Sequence, residues 1–302
     1  MRSLTRRCEG HTLIEVLVAT VVLALVLTGA ATIATRAHMA GRDIPQTIDQ
    51  QQRARVVLDV LARDIRQAGA GLDVGDLAGP LACVVPAVVP YRVTSSVRTP
   101  TTSTISTIAV PMGSVQTALA SGLPAGGAVW TLARPVWCGS RPACGARVGE
   151  DLMVWDASGA FAIATVDRIG GDAVTVRPLV SPGRTFPAGA PVASIVLKTY
   201  SFDAARGQVR VADAGGVDQP LIDGVQAFTV SYEAVTPGGL VVMPPTQLGD
   251  GPWLGTGDAL FDADLRRVRL VRLRLVLDAT DPRVAPLTVS TDVALRNSCL
   301  SC

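Results

Sequence analysis

A chain of 302 residues that is 48% hydrophobic and only 17% charged can bury a sizeable core and reads as a folded protein, not a disordered one. Its formal net charge of +2 argues against steering of nucleic acid by the molecule as a whole, and two histidines, His11 and His38, leave no parts for histidine-ligated zinc or Ser-His-Asp hydrolysis. The motifs G-x-x-x-x-G-K-[ST], H-E-x-x-H, G-x-S-x-G and helix-opening G-x-G-x-x-G are missing from the sequence, so a non-enzyme without cofactor is expected.

Residues 1–10 carry Arg2, Arg6 and Arg7 against Glu9, which accounts for the whole positive surplus of the chain. From Val16 to Thr35 the sequence is uncharged, and a helix of that length reaches about 30 Å, one bilayer core. Arginines ahead of the run and a large polar remainder behind it place the amino end in the cytoplasm and everything beyond Arg36 outside. A small-residue cleavage site after the run, or a lipoprotein cysteine there, would mark ordinary secretion; neither occurs, and Cys8 precedes the run. Glu15 sits at the cytoplasmic end of the apolar segment, where a carboxylate costs about 2 to 3 kcal/mol to insert and is expected to be functional.

The run Gly10-His11-Thr12-Leu13-Ile14-Glu15-Val16 with its apolar tail resembles the prepilin signal of type IV pilins and type II secretion pseudopilins. The resemblance implies that a prepilin peptidase cuts after Gly10 and methylates the new amino group at His11, where phenylalanine is usual and histidine is a departure. It also implies an inner-membrane, single-pass precursor with a periplasmic carboxyl domain, later drawn into a filament. Glu15 would then pair with the ammonium group of a neighbouring subunit inside the helix bundle and set the register between them.

Beyond Arg36 the sequence stays compatible with helix to Gly41, and Asp43 with Gln46 reads as a capping box around Pro45, so a kink or restart is expected there. From Gln46 the spacing puts Ala54, Val57, Leu58, Leu61, Ile65 and Ala68 on one face and Arg55, Asp59 and Arg63 on another, an amphipathic helix ending at Gly69 whose stripe packs on a sheet. The rest reads as strands at 104–110, 151–155, 161–166, 173–176, 192–200, 209–211, 225–232 and 265–277, broken by Gly/Pro/Asp clusters. The Ser/Thr-rich stretch 99–107 is expected at a surface loop or edge, and about 128–196 as a small all-β lobe. The organisation expected is thus a leader at 1–10, a transmembrane helix at 11–35, an amphipathic helix at 36–69 and a β-rich head at 70–302.

Three further stretches carry a finer resemblance. ARVVLDVLARDIRQAGAG, ending at Gly71, is similar to the L-x-x-D-[IL]-R-x-A-G segment of PilW-type minor pilins and J-type minor pseudopilins. Gly224-Val225 through Phe228, Val230 and Tyr232 looks like their strand entry GV-x-x-[FL]-x-[VF]-x-Y, and Val293 to Asn297 like their closing V-x-L-R-N. Residues 71–215 carry no such signal. The resemblance implies an α+β, pilin-like fold, a long amino-terminal helix on an antiparallel β-sheet domain. It implies a minor pilin of a tip or initiation complex, with prepilin peptidase, other minor and major pilins and the inner membrane as partners. The alternatives are a J-type minor pseudopilin of type II secretion, or a signal-anchored periplasmic adhesin or enzyme that keeps its first ten residues.

Asp258, Asp262 and Asp264 are weak calcium candidates; they lack EF-hand spacing and read better as a solvated turn. The basic run Leu265 to Leu275 has the character to touch DNA phosphates, as in a transformation pilus, but its alternation reads as a strand with arginines on the wet face and a phase slip near Val271, a β-bulge. Export permits disulfides: Cys138 with Cys144, and Cys299 with Cys302, are the candidates, and the odd number of exported cysteines leaves at least one unpaired.

Overall fold

The computed structural model describes residues 12–72, 84–95, 98–253, 261–278 and 285–297, with the side chains of 39–46 left aside. One helix, α1 (Leu13–Gln67), opens the fold. Helical backbone continues through 41–46, so the expected restart at Asp43 does not occur. An interior proline removes one amide donor at a cost of about 3 kcal/mol, which the long regular turns on either side absorb. The carboxyl half buries Ala54, Val57, Leu58, Leu61, Ile65 and Ala68, with Ala62 joining them, while Arg55 and Asp59 face water as an i,i+4 pair at 4.0 Å.

Two antiparallel sheets receive that face. A five-stranded sheet runs β1 (Val88–Val89), β2 (Thr104–Ala109), β9 (Val196–Asp203), β10 (Gln208–Asp213), β11 (Asp218–Asp223). A four-stranded sheet runs β13 (Gly239–Met243), β12 (Val225–Thr236), β14 (Val268–Leu277), β15 (Leu287–Ala294). The helix lies on β14 and β15 of the second sheet and touches β2 and β11 of the first. Tyr232, fully buried on β12, donates its hydroxyl to the Thr104 carbonyl at 3.2 Å and so ties one sheet to the other. This is an α+β plan, a long amino-terminal helix followed by antiparallel sheets.

The remaining strands, β3 (Gln116–Ala118), β4 (Val129–Thr131), β5 (Asp151–Trp155), β6 (Phe161–Gly170), β7 (Ala173–Val180) and β8 (Pro191–Ser194), form a six-stranded sheet in the order β3-β8-β5-β6-β7-β4. Topologically it is an insertion between β2 and β9: Ala109 and Val196 are paired neighbours, and the intervening chain leaves and returns at that point. The exit lies at the carboxyl end of α1, since Gly69 N–H bonds the Ile108 carbonyl at 2.7 Å and Val110 N–H that of Ala70 at 2.8 Å. Alternation along β5 sends Met153 and Trp155 into the main core and Leu152 and Val154 into a second core with Trp130, Phe186 and Val192. Both faces are thus covered, which is why β5 and β6 read as unbroken apolar runs.

Three sequence expectations shift. The run 192–200 is two strands in different sheets, joined at Ile195, because the chain crosses between them without a turn residue. The Ser/Thr-rich stretch enters an interior strand: Ser106 is buried, its hydroxyl donating to the Tyr91 carbonyl and sharing a hydrogen bond with Thr199, both at 2.7 Å. On the last basic strand the extra residue is Arg269, with Glu233 opposite Leu270 and Ala234 opposite Val268, so Val271, not Leu270, faces the core. Leu265 to Arg267 belong to a short 3₁₀ turn (Ala263–Arg267) ahead of the strand.

Candidate functional site

Among the described residues, nothing packs against the amino-terminal apolar segment. Leu13 to His38 has a mean hydropathy of 2.5 over its best window and none of that window is buried against the chain. Leu13, Leu25 and Ile33 present most of their surface to the surroundings. A soluble protein does not display such a stripe to water; a bilayer or a bundle of like helices would accept it. The hydroxyls within the segment are satisfied locally: Thr20 donates to the Leu17 carbonyl at 2.8 Å, Thr28 to Ala24 at 2.7 Å and Thr32 to Gly29 at 2.7 Å. Donation back to the preceding turn removes the cost of burying a hydroxyl in hydrocarbon.

Glu15 stands in the first turn of this helix. It is exposed, and one carboxylate oxygen accepts the Thr12 N–H at 3.4 Å while Glu15 N–H donates to the Thr12 carbonyl at 3.0 Å. A carboxylate here meets the positive end of the helix dipole and the first unpaired amides. Gly10 and His11 lie outside the described residues.

In the head, the motif around Asp64 has a structural explanation. Leu61, Ile65 and Ala68 are buried, and Asp64, on the flank of that stripe, accepts Lys198 Nζ at 2.7 Å and the Tyr200 hydroxyl. Burial, with the Asp64 carboxylate beside it, raises the Tyr200 phenol well above its ordinary range, so it stays protonated and donates. Lys198 is the only lysine in the chain, and the helix-to-sheet ion pair gives it a role that no local sequence pattern announced. At the helix end, Gly69 takes a φ of +78°, and the Asn297 amide donates to the carbonyls of Arg66 and Ala68 at 3.3 and 3.1 Å.

The remaining candidates resolve into internal structure. Cys138 and Cys144 are bonded, their Cα atoms 4.9 Å apart, closing a loop held to the β6–β7 turn by Asp172, which accepts Arg134 Nε at 3.0 Å and Ala143 N–H at 3.3 Å. Cys299 and Cys302 lie outside the described residues, as does Asp258. Asp262 is not solvated: it is fully buried and its carboxylate accepts Gly251 N–H and Asp264 N–H, each at 2.8 Å. Asp262 thus caps the short 3₁₀ turn that follows it and ties that turn to Gly251, and burial raises its pKa. Asp264 takes Arg267 at 3.0 Å. No group of three ligand-type residues that could hold a metal occurs among the described residues. On the basic strand, Arg272 is matched by Asp292 at 2.7 Å and Glu233 at 3.1 Å, and Arg269 donates to the Arg266 carbonyl at 2.7 Å. Arg272 is thus held in ion pairs inside the sheet, and Arg269 is held by backbone carbonyls.

Residues 5–31 match the family model described as the prokaryotic N-terminal methylation motif. This is the signal of type IV pilins and pseudopilins, and the chain carries it on an exposed apolar helix that continues into a β-rich head. The chain therefore carries the signal of a type IV pilin or pseudopilin precursor, a signal that implies processing by a prepilin peptidase and assembly with other pilins. None of the curated proteins compared with the chain matches it.

Proposed function

We propose that the chain is a PilW-like minor pilin of a type IV pilus system, placed near the filament tip in an initiation complex and without turnover chemistry of its own. One observation carries the finer reading: the three stretches that resemble this group converge. The helix segment Leu61 to Gly69, the strand entry Gly224 to Tyr232 and the closing Val293 to Asn297 pack into one core, with Asn297 on the helix end and Val225, Phe228, Val230 and Tyr232 inside the same sheet. Hydrolysis of the Gly10–His11 peptide bond would free an ammonium group at His11, and its methylation leaves the charge in place. In a dry bundle Glu15 then neutralises that of a neighbour, because two opposite charges buried together escape the penalty each meets alone. The periplasmic orientation of the head follows from the arginines ahead of the apolar segment. A J-type minor pseudopilin of type II secretion shares every one of these features and is the second reading.

The test is Glu15→Ala in the native host. Membrane insertion is expected to be unchanged or slightly improved, since a carboxylate is removed from an apolar segment, while entry into sheared filaments is lost. Normal incorporation of the variant would reduce Glu15 to an interfacial residue and remove the assembly mechanism.

A further inference from the structure

The described sheets present six edges, and five of them are guarded. Edge strands expose unpaired amides and carbonyls, and proteins ordinarily blunt them with charge, proline, brevity or a covering element. Strand β11 carries Asp218, Pro220 and Asp223, with Arg210 on Asp218 at 2.9 Å. Strand β15 carries Asp292 and lies under α1. Strands β3 and β4 have three residues each, and β1 has two, both buried.

Strand β13 carries no charge and no proline within Gly239–Met243, with Pro237 and Pro244 only flanking it. It pairs with β12 from Tyr232↔Met243 to Thr236↔Gly239, and its other side has no strand among the described residues. Leu240, Val241 and Val242 are 56%, 48% and 56% exposed, and because they are consecutive, apolar side chains stand uncovered on both faces. From Ala234 to Leu248 the sequence contains no charged residue, in a chain that is 17% charged. The strand is also placed to be reached. It lies across the four-stranded sheet from β15, the edge strand that α1 contacts, and its hairpin extends beyond the level of Ala294, toward the carboxyl end of α1 and away from the apolar segment.

We infer that β13 is a β-addition edge that receives an extended, uncharged strand from the head of a neighbouring pilin-type subunit. The inference rests on the pilin reading, because helices bundled through Leu13–His38 bring heads side by side while leaving this edge free. Main-chain bonds would supply the affinity, and the alternating side chains Leu240 to Met243 the fit. An incoming strand with charges opposite Val241 would have to desolvate them, so the match of uncharged edge to uncharged strand selects the partner.

The experiment uses the full chain in its native host. Amide exchange across Leu240–Met243 is followed in sheared filaments and in the isolated detergent-solubilised chain, together with filament entry of a Leu240→Lys, Val242→Lys double variant. Val217→Lys, at an exposed valine in the β10–β11 connection, is the control. Slowing of exchange by about tenfold on assembly, with loss of the double variant from filaments at normal membrane level and with its Cys138–Cys144 bond formed, is the expected result. Equal exchange in filaments and in the isolated chain, with the double variant incorporated normally, overturns the edge and leaves the pilin reading intact. Protection already present in the isolated chain at raised concentration assigns the edge to a second copy and overturns the neighbouring-subunit assignment. A wild-type chain that never enters filaments removes the pilin reading and this inference with it.

Discussion

The side-chain amide of Asn297 donates to the carbonyl of Ala68 at 3.1 Å, so the last described residue of the chain caps the end of its first helix. The last carbonyls of a helix have no partner within it, and here the closing strand supplies one. Gly69 makes the approach possible: a Cβ at that position would stand 2.7 Å from the Asn297 carbonyl oxygen, and its φ of +78° suits glycine. Two stretches separated by most of the sequence therefore form one joint.

Gly69→Ala is expected to destabilise the head by about 1 to 3 kcal/mol through backbone strain alone, with the steric conflict adding to it. Asn297→Ala should cost about 1 kcal/mol, the usual value of one net hydrogen bond. Because the two share an environment, the double variant should cost less than the sum. Urea unfolding of the full chain in detergent measures all three.

Leu61 is fully buried at the centre of the helix stripe, and Leu61→Ala should cost about 2 to 5 kcal/mol. Val56, one turn earlier and on the other side of the helix, is mostly exposed, and Val56→Ala should change stability by less than about 0.5 kcal/mol. Paired denaturation curves check the contrast.

Hydrogen bonds from Arg272 hold the Asp292 carboxyl below its ordinary range. A carboxyl with a lowered folded pKa contributes stability that is fully present above the unfolded value of about 3.9 and is lost as pH falls through the folded value. Burial acts with the opposite sign at Asp151 and Asp262, whose raised folded values make their contribution fall as pH rises through the window above the ordinary carboxylate range. The difference in melting temperature between wild type and Asp292→Asn should accordingly be constant above about pH 4 and shrink below it.

Much of this was legible in the sequence, and the exceptions have physical causes. The helix stripe follows from 3.6-residue spacing, and every residue it assigned to the core is there. Phe228 follows Val225 by three positions, an odd spacing for one strand face. Gln226 is an extra residue opposite the Leu277–Val276 step, and the bulge turns both side chains inward. The same device at Arg269 displaced the inward phase from Leu270 to Val271. Register is a property of two strands, and one strand's sequence does not contain it. The Lys198–Asp64 pair and the Asp172 clamp join residues far apart in the chain, so no local window holds both partners. The amino-terminal motif was legible for the opposite reason: its residues follow one another in a single stretch, and the match over residues 5–31 falls on that stretch.

The most direct measurement is the amino-terminal mass of the protein isolated from its native host, with that host's own peptidase present. The account predicts a chain that begins at His11 and carries one added methyl group on its amino nitrogen. A chain that still begins at Met1, or that has been cut after the apolar segment beyond Thr35, would contradict it.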